Sequence, residues 1–248
     1  MRDTYKKESD DMERLKKFIQ NEMTGWKKSD IFWLIFANAA VLAVSLYMGD
    51  TALSIIASLT GVTCVIFCGQ GKMSTYIFGT INVVLYAIVA WQAKYYGEVM
   101  LNLIYYFPTN ILGWFVWKKN MDESTKEVEK KRMTIGQDIL VVVLSAAGIF
   151  AYSFVLKMLG GNLPLVDSMS TVLSITAQIL MIKRFTEQWI LWIVVDAVSV
   201  IMWAAAFMNG TETVAVLLMW VVYLINAILM FIKWYKGSKK TAEAEAAA

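Results

Sequence analysis

An all-α polytopic membrane protein is predicted by three observations. Hydrophobic residues make up 58% of the 248 and charged residues only 17%, more apolar surface than a soluble domain of this length can hide. Only two prolines interrupt the chain. Eight stretches approach or reach the length of about 20 largely apolar residues that a helix needs to cross a bilayer: 30–49, 51–69, 74–94, 98–118, 137–158, 167–184, 187–208 and 212–235.

Residues 1–29 are too charged for a cleavable signal. Met12, Leu15, Phe18, Ile19, Met23 and Trp26 recur there at helical spacing among lysines and acids, which predicts an amphipathic segment on the membrane surface. Span 30–49 follows and is expected to be peripheral. Next come three spans over 51–118, a basic loop over 119–136, a single linker span over 137–158, and three spans over 167–235. Residues 236–248 form a tail, whose closing alanines and glutamates read as disordered. Pro108 falls inside the fourth span and predicts a kink, because it frees the carbonyl of Ile104. Pro164 lies in a loop with Gly160 and Gly161 and needs no special role.

The connecting segments alternate in charge. Lysines and arginines crowd the N-terminal segment, the turn at Lys72, the 119–136 loop, the Lys183-Arg184 turn and the C-terminal end, while the intervening turns carry almost none. By the positive-inside rule both termini are expected in the cytoplasm.

The two triplets correspond. In each, a span with a central polar residue leads through an outer turn (Gly97-Glu98, or Gly210 and Glu212) to a span with a closing set of residues. Those sets are Tyr106, Asn110 and Trp117, and Tyr223, Asn226 and Trp234. An offset of 114 sets Asn82 opposite Asp196. One linker helix between the triplets gives both the same direction, so a 3+1+3 arrangement of parallel repeats is expected, with one extra N-terminal helix.

Polar residues halfway along paired spans of repeat transporters converge at the midplane. Asp196 carries the strongest signal. A carboxylate at mid-membrane is costly and belongs in a protein interior or a watery cavity. Trp189, Trp192, Asp196, Ser199 and Trp203 share one helical stripe. Indole faces beside a carboxylate suit a flat or cationic ligand. Asn82, Tyr86, Tyr106, Asn110, Gln178, Tyr223 and Asn226 complete the substrate set; amides both donate and accept and so read hydroxyls and carboxamides. Trp203 and Pro108 are gate candidates, and Trp189 and Trp203, near the two ends of their span, have belt positions as their alternative. Any one of the amides could instead serve only to bind helix to helix.

The sequence contains no histidine, which removes histidine metal sites, proton relays and Ser-His or Cys-His pairs. Cys64 and Cys68 read as small core residues. No metal or cofactor is expected, and nucleic acid is not a partner. An enzyme is disfavoured because Asp196 stands as the one deep carboxylate, Glu98 being assigned to an outer turn. A retinal-type receptor needs a lysine in mid-helix, and Lys233 lies at a span end.

The Trp189-x-x-Trp192-x-x-x-Asp196 stripe, the 3+1+3 order and the paired Tyr/Asn positions resemble the bacterial nicotinamide riboside transporters of the PnuC family, over about residues 51–236. The resemblance implies a fold related to the SWEET sugar facilitators, although their common Pro-Gln motif is absent. It also implies uptake of nicotinamide riboside across the inner membrane by facilitated diffusion, with a cytosolic riboside kinase trapping the substrate for NAD synthesis. A proton-coupled symporter and a carrier of another flat-ringed vitamin such as thiamine are the alternatives. A homo-oligomer is left open.

Overall fold

The structure, a computed structural model, describes residues 2–92, 96–158, 164–208, 210 and 214–246. The helices in chain order are α1 (Arg2–Met23), α2 (Lys28–Met48), α3 (Ala52–Gly69), α4 (Ser74–Gln92) and α5 (Tyr96–Met100). A π-helical segment (Leu101–Tyr106) follows, then α6 (Phe107–Lys118), α7 (Ile135–Met158), α8 (Pro164–Ile182), α9 (Gln188–Met208) and α10 (Val214–Ala246). With α5, the π segment and α6 taken as one unit, eight helices among the described residues are long and apolar enough to cross a membrane. The loop glycines Gly160 and Gly161 and the outer-turn residue Glu212 lie outside the described residues.

Six spans close a ring. Within each triplet the helices touch in sequence, α3 to α4 to α6 and α8 to α9 to α10, and the ring closes through α6 against α8 and α10 against α3. The third helix of each triplet thus meets the first helix of the other, as an axis along the membrane normal requires. The hydrogen bonds repeat the relationship. Trp117 Nε1 donates to the Met181 carbonyl at 3.0 Å, and Trp234 Nε1 donates to the Gly69 carbonyl at 2.8 Å. Outside the ring α7 packs on α8, and α2 lies against α3 and α10 with only Ala37, Val41 and Ser45 buried.

Small residues permit the close approach. Gly69 faces the Met230 side chain, and Gly61 lies under the Tyr223 hydroxyl and the Asn82 amide, the small-residue packing by which membrane helices associate. Gly71 has φ +71 in the α3–α4 turn, a backbone state that glycine adopts without strain.

The kink predicted at Pro108 takes a different form. The chain widens into the π segment just before it, and the Phe107 N–H bonds the Asn102 carbonyl five residues back. With no proline N–H to bond Ile104, the helix takes up one extra residue in the preceding turn.

All basic segments gather on one face. Lys72, fully buried, donates to the carbonyls of Asn21 (3.4 Å), Thr125 (3.1 Å) and Lys126 (2.8 Å). Burial pulls its ammonium below the ordinary lysine range, and the charges of Glu127 and Glu22 oppose that shift. Glu22 Oε2 accepts from the Ser74 N–H at 2.7 Å, so α1 supplies an anion to the N-terminus of α4. Met12, Leu15, Ile19 and Met23 stay exposed on α1, whereas Phe18 packs inward. On the opposite face Asp50 Oδ2 accepts from the Ala215 N–H at 2.7 Å, at the start of α10. The tail read as disordered instead continues α10 to Ala246, because alanine and glutamate are strong helix formers.

Candidate functional site

The ring encloses a cavity whose empty volume, its opening to solvent included, is about 990 Å³. Two aromatic clusters bound it. On the basic side Tyr76, Trp117, Trp234 and Trp189 pack in sequence at ring separations of 5.2, 6.1 and 5.8 Å. On the other side Tyr86 meets Trp203 at 6.1 Å and Trp220 at 6.3 Å, and Trp220 meets Tyr223 at 5.3 Å.

Nine of the ten expected substrate residues line this cavity: Asn82, Tyr86, Tyr106, Asn110, Gln178, Trp189, Trp192, Asp196 and Tyr223. Asn82 and Asp196, matched by the repeat offset, both face it. Asn82 Nδ2 donates to the Ala57 carbonyl at 2.8 Å, which leaves its oxygen to accept from a ligand. Gln178 Nε2 donates to Asn110 Oδ1 at 3.3 Å and to Thr109 Oγ1 at 3.4 Å. The Trp189 indole N–H is buried without an acceptor among the described residues. That residue therefore does not serve as a belt anchor.

Three of the expected residues lie outside the lining. Asn226 does not line the cavity: its Nδ2 donates to the Val65 carbonyl at 2.9 Å, and its Oδ1 accepts from Trp33 Nε1 at 3.3 Å. Its amide is engaged in joining α10 to α3 and α2. Trp203 is fully buried against Tyr86, behind the cavity wall, so it is neither a belt residue nor part of the lining. Pro108 is also absent from the lining; it acts on the backbone, below the π segment.

Sequence reasoning missed Glu98, Asn102, Ser170 and Trp220, all of which line the cavity. The sequence assigns Glu98 to an outer turn and leaves Asp196 as the one deep carboxylate; the cavity holds both. A signal was present. Glu98, Asn102, Tyr106 and Asn110 are spaced by four. Four residues of an α-helix overshoot a turn by about 40°, so three such steps would turn Asn110 about 120° away from Glu98. The wider π turn removes that drift and puts all four on one face.

The electrostatics are one-sided. Glu98 and Asp196 are the charged residues of the lining, and among the described residues no lysine or arginine lines it. Asp196 is 3% exposed, and among the described residues neither a hydrogen-bond donor nor a cation reaches its carboxylate or that of Glu98. Such groups inside a membrane mark a ligand or ion path. No cluster of three metal-ligating side chains occurs among the described residues.

Residues 51–236 match the model of a family described as nicotinamide mononucleotide transporter. The chain belongs to that family. It is 42% identical over 221 residues to the nicotinamide riboside transporter PnuC of Neisseria mucosa, covering 87% of this chain and 84% of the relative. It is 33% identical to the PnuC of Haemophilus influenzae, covering 90% and 96%. A crystal structure of the vitamin B3 transporter PnuC superposes with a TM-score of 0.82 at 40% identity, covering 90% of this chain and 98% of the other. The family's transporter fold is therefore this protein's fold, and its members are named as carriers.

Proposed function

We propose that the protein carries nicotinamide riboside across the bacterial inner membrane by facilitated diffusion, both termini being cytoplasmic. The carrying observation is the charge of the lining, two carboxylates and, among the described residues, no basic side chain. The family description speaks of the mononucleotide, whereas the relatives are named for the riboside. The two ligands differ by a phosphate. A phosphate would meet no cation here and two like charges, while the riboside's pyridinium ring is a cation that the carboxylates and indole faces favour.

In this reading Trp192, with Trp189 or Tyr223, stacks on the pyridinium. Asn82, Asn110 and Gln178 pair with the ribose and carboxamide, and Asp196 supplies negative potential. The two triplets rock about the ligand, exposing it to each side in turn. A cytosolic kinase then phosphorylates the riboside and holds it inside.

Purified protein in liposomes tests this. Labelled riboside should equilibrate down its gradient, follow an inside-negative potential because the substrate is a cation, and ignore a pH gradient. The mononucleotide should neither enter nor compete. Accumulation driven by pH, lost in Asp196→Asn, would mean proton coupling; equal transport of the mononucleotide would overturn the pocket assignment.

A further inference from the structure

The cavity holds two carboxylates, Asp196 and Glu98, at different depths. Asp196 lies midway along α9, whereas Glu98 sits on α5, next to the turn on the face opposite the basic segments. An acid at an outer turn is ordinarily a solvated surface group. Glu98 departs from that in three respects. It lines the cavity together with Tyr86 and Tyr106. The π segment sets it in line with Asn102 and Asn110. Its carboxylate has neither an ion pair nor a hydrogen bond among the described residues. The buried Asp196 carboxylate faces the same space, equally unpartnered.

We propose that Glu98 is a charge-selecting residue of the pathway, acting at its outer end so that flat cations enter in preference to neutral or anionic ligands of the same shape. Two carboxylates in succession draw a cation from the mouth to the midplane, a low-dielectric path in which an unpaired anion attracts strongly. The inference rests on the proposed carrier function but concerns charge rather than ribose.

The test compares nicotinamide riboside with its dihydro form, which has the same ribose and carboxamide on an uncharged ring, in full-length wild type, Glu98→Gln and Glu98→Asp in liposomes. Glu98→Gln should raise KM for the riboside about tenfold and leave KM for the dihydro form within about twofold. Glu98→Asp should restore most of the preference. Equal changes for both ligands, or no change for either, would overturn the assignment. Binding of cationic 1-methylnicotinamide against neutral nicotinamide, followed by calorimetry, gives a reading that needs no ribose. Wild type that binds the cation in preference, but carries no riboside, would defeat the substrate reading alone. Wild type and Glu98→Gln with the same cation preference would defeat the charge filter.

Discussion

Trp117 and Trp234 close the two triplets at equivalent positions and pack against each other at 6.1 Å. Each indole also bonds the first helix of the opposite triplet. The pair thus fastens the ring on its basic side, where an alternating carrier must open. Loss of one such hydrogen bond is worth about 1 kcal/mol, about a fivefold shift between states. Trp117→Phe combined with Trp234→Phe should therefore open that side more often. The two native cysteines, Cys64 and Cys68, both line the cavity and report it directly. Their alkylation from the basic side should accelerate several-fold, and riboside should protect them. Unchanged alkylation would remove the pair from gating.

Trp192 lines the cavity and is only partly buried, packed against the core that holds Trp189 and Trp234. Trp192→Ala should weaken riboside binding by about 1–2 kcal/mol, and Trp192→Phe by less, since a smaller ring keeps part of the cation attraction. Calorimetric titration of the purified variants checks this. Equal losses in both would mean that the indole only fills space.

Gly61 carries no side chain where three groups converge. A Cβ there would lie 2.7 Å from Asn82 Nδ2 and 2.9 Å from Met219 Sδ, and closer still to the Tyr223 hydroxyl. Asn82 and Tyr223 both line the cavity. Gly61→Ala should therefore raise KM for riboside about tenfold, with a stability loss of about 1–3 kcal/mol from overpacking. Transport assays paired with thermal unfolding separate the two effects. A stability loss with unaltered KM would show that the neighbours can shift without disturbing the site.

Lys72 holds three carbonyls from α1 and the 119–136 loop. Lys72→Met keeps the stem's packing but leaves those oxygens without a donor, at about 1–3 kcal/mol. Unfolding temperature should fall, and the loop should become open to proteases on the basic face. Because Lys72 does not line the cavity, KM for riboside should stay within about twofold of wild type.

The ring and its site were legible in the sequence to different depths. Span count, the extra first helix, the linker and the Asn82–Asp196 match all follow from hydropathy and from one repeat offset. Asn226 shows where repeat reasoning stops. Equivalent positions share a backbone setting, but Asn110 lies where Gln178 can reach it, whereas Asn226 meets the Val65 carbonyl and the indole of Trp33. Trp33 comes from a helix with no counterpart in the repeat, so internal symmetry could not foretell it. Trp203 was misplaced because hydropathy gives depth along a helix but not what packs around it. Glu98 and Asn102 were hidden by the assumption of 3.6 residues per turn.

That last point gives the π segment a use in dissecting the carrier. Deletion of one residue within Leu101–Tyr106 would let this stretch wind as an ordinary α-helix. Glu98 would then stand eleven residues from Asn110, and eleven steps of about 100° bring it within about 20° of the same face, with no side chain chemically altered. Removing the wide turn in this way separates what the turn contributes from what the carboxylate contributes, which substitution of Glu98 cannot do. One added residue at the bulge is thus how a four-residue spacing of polar groups comes to face a single cavity.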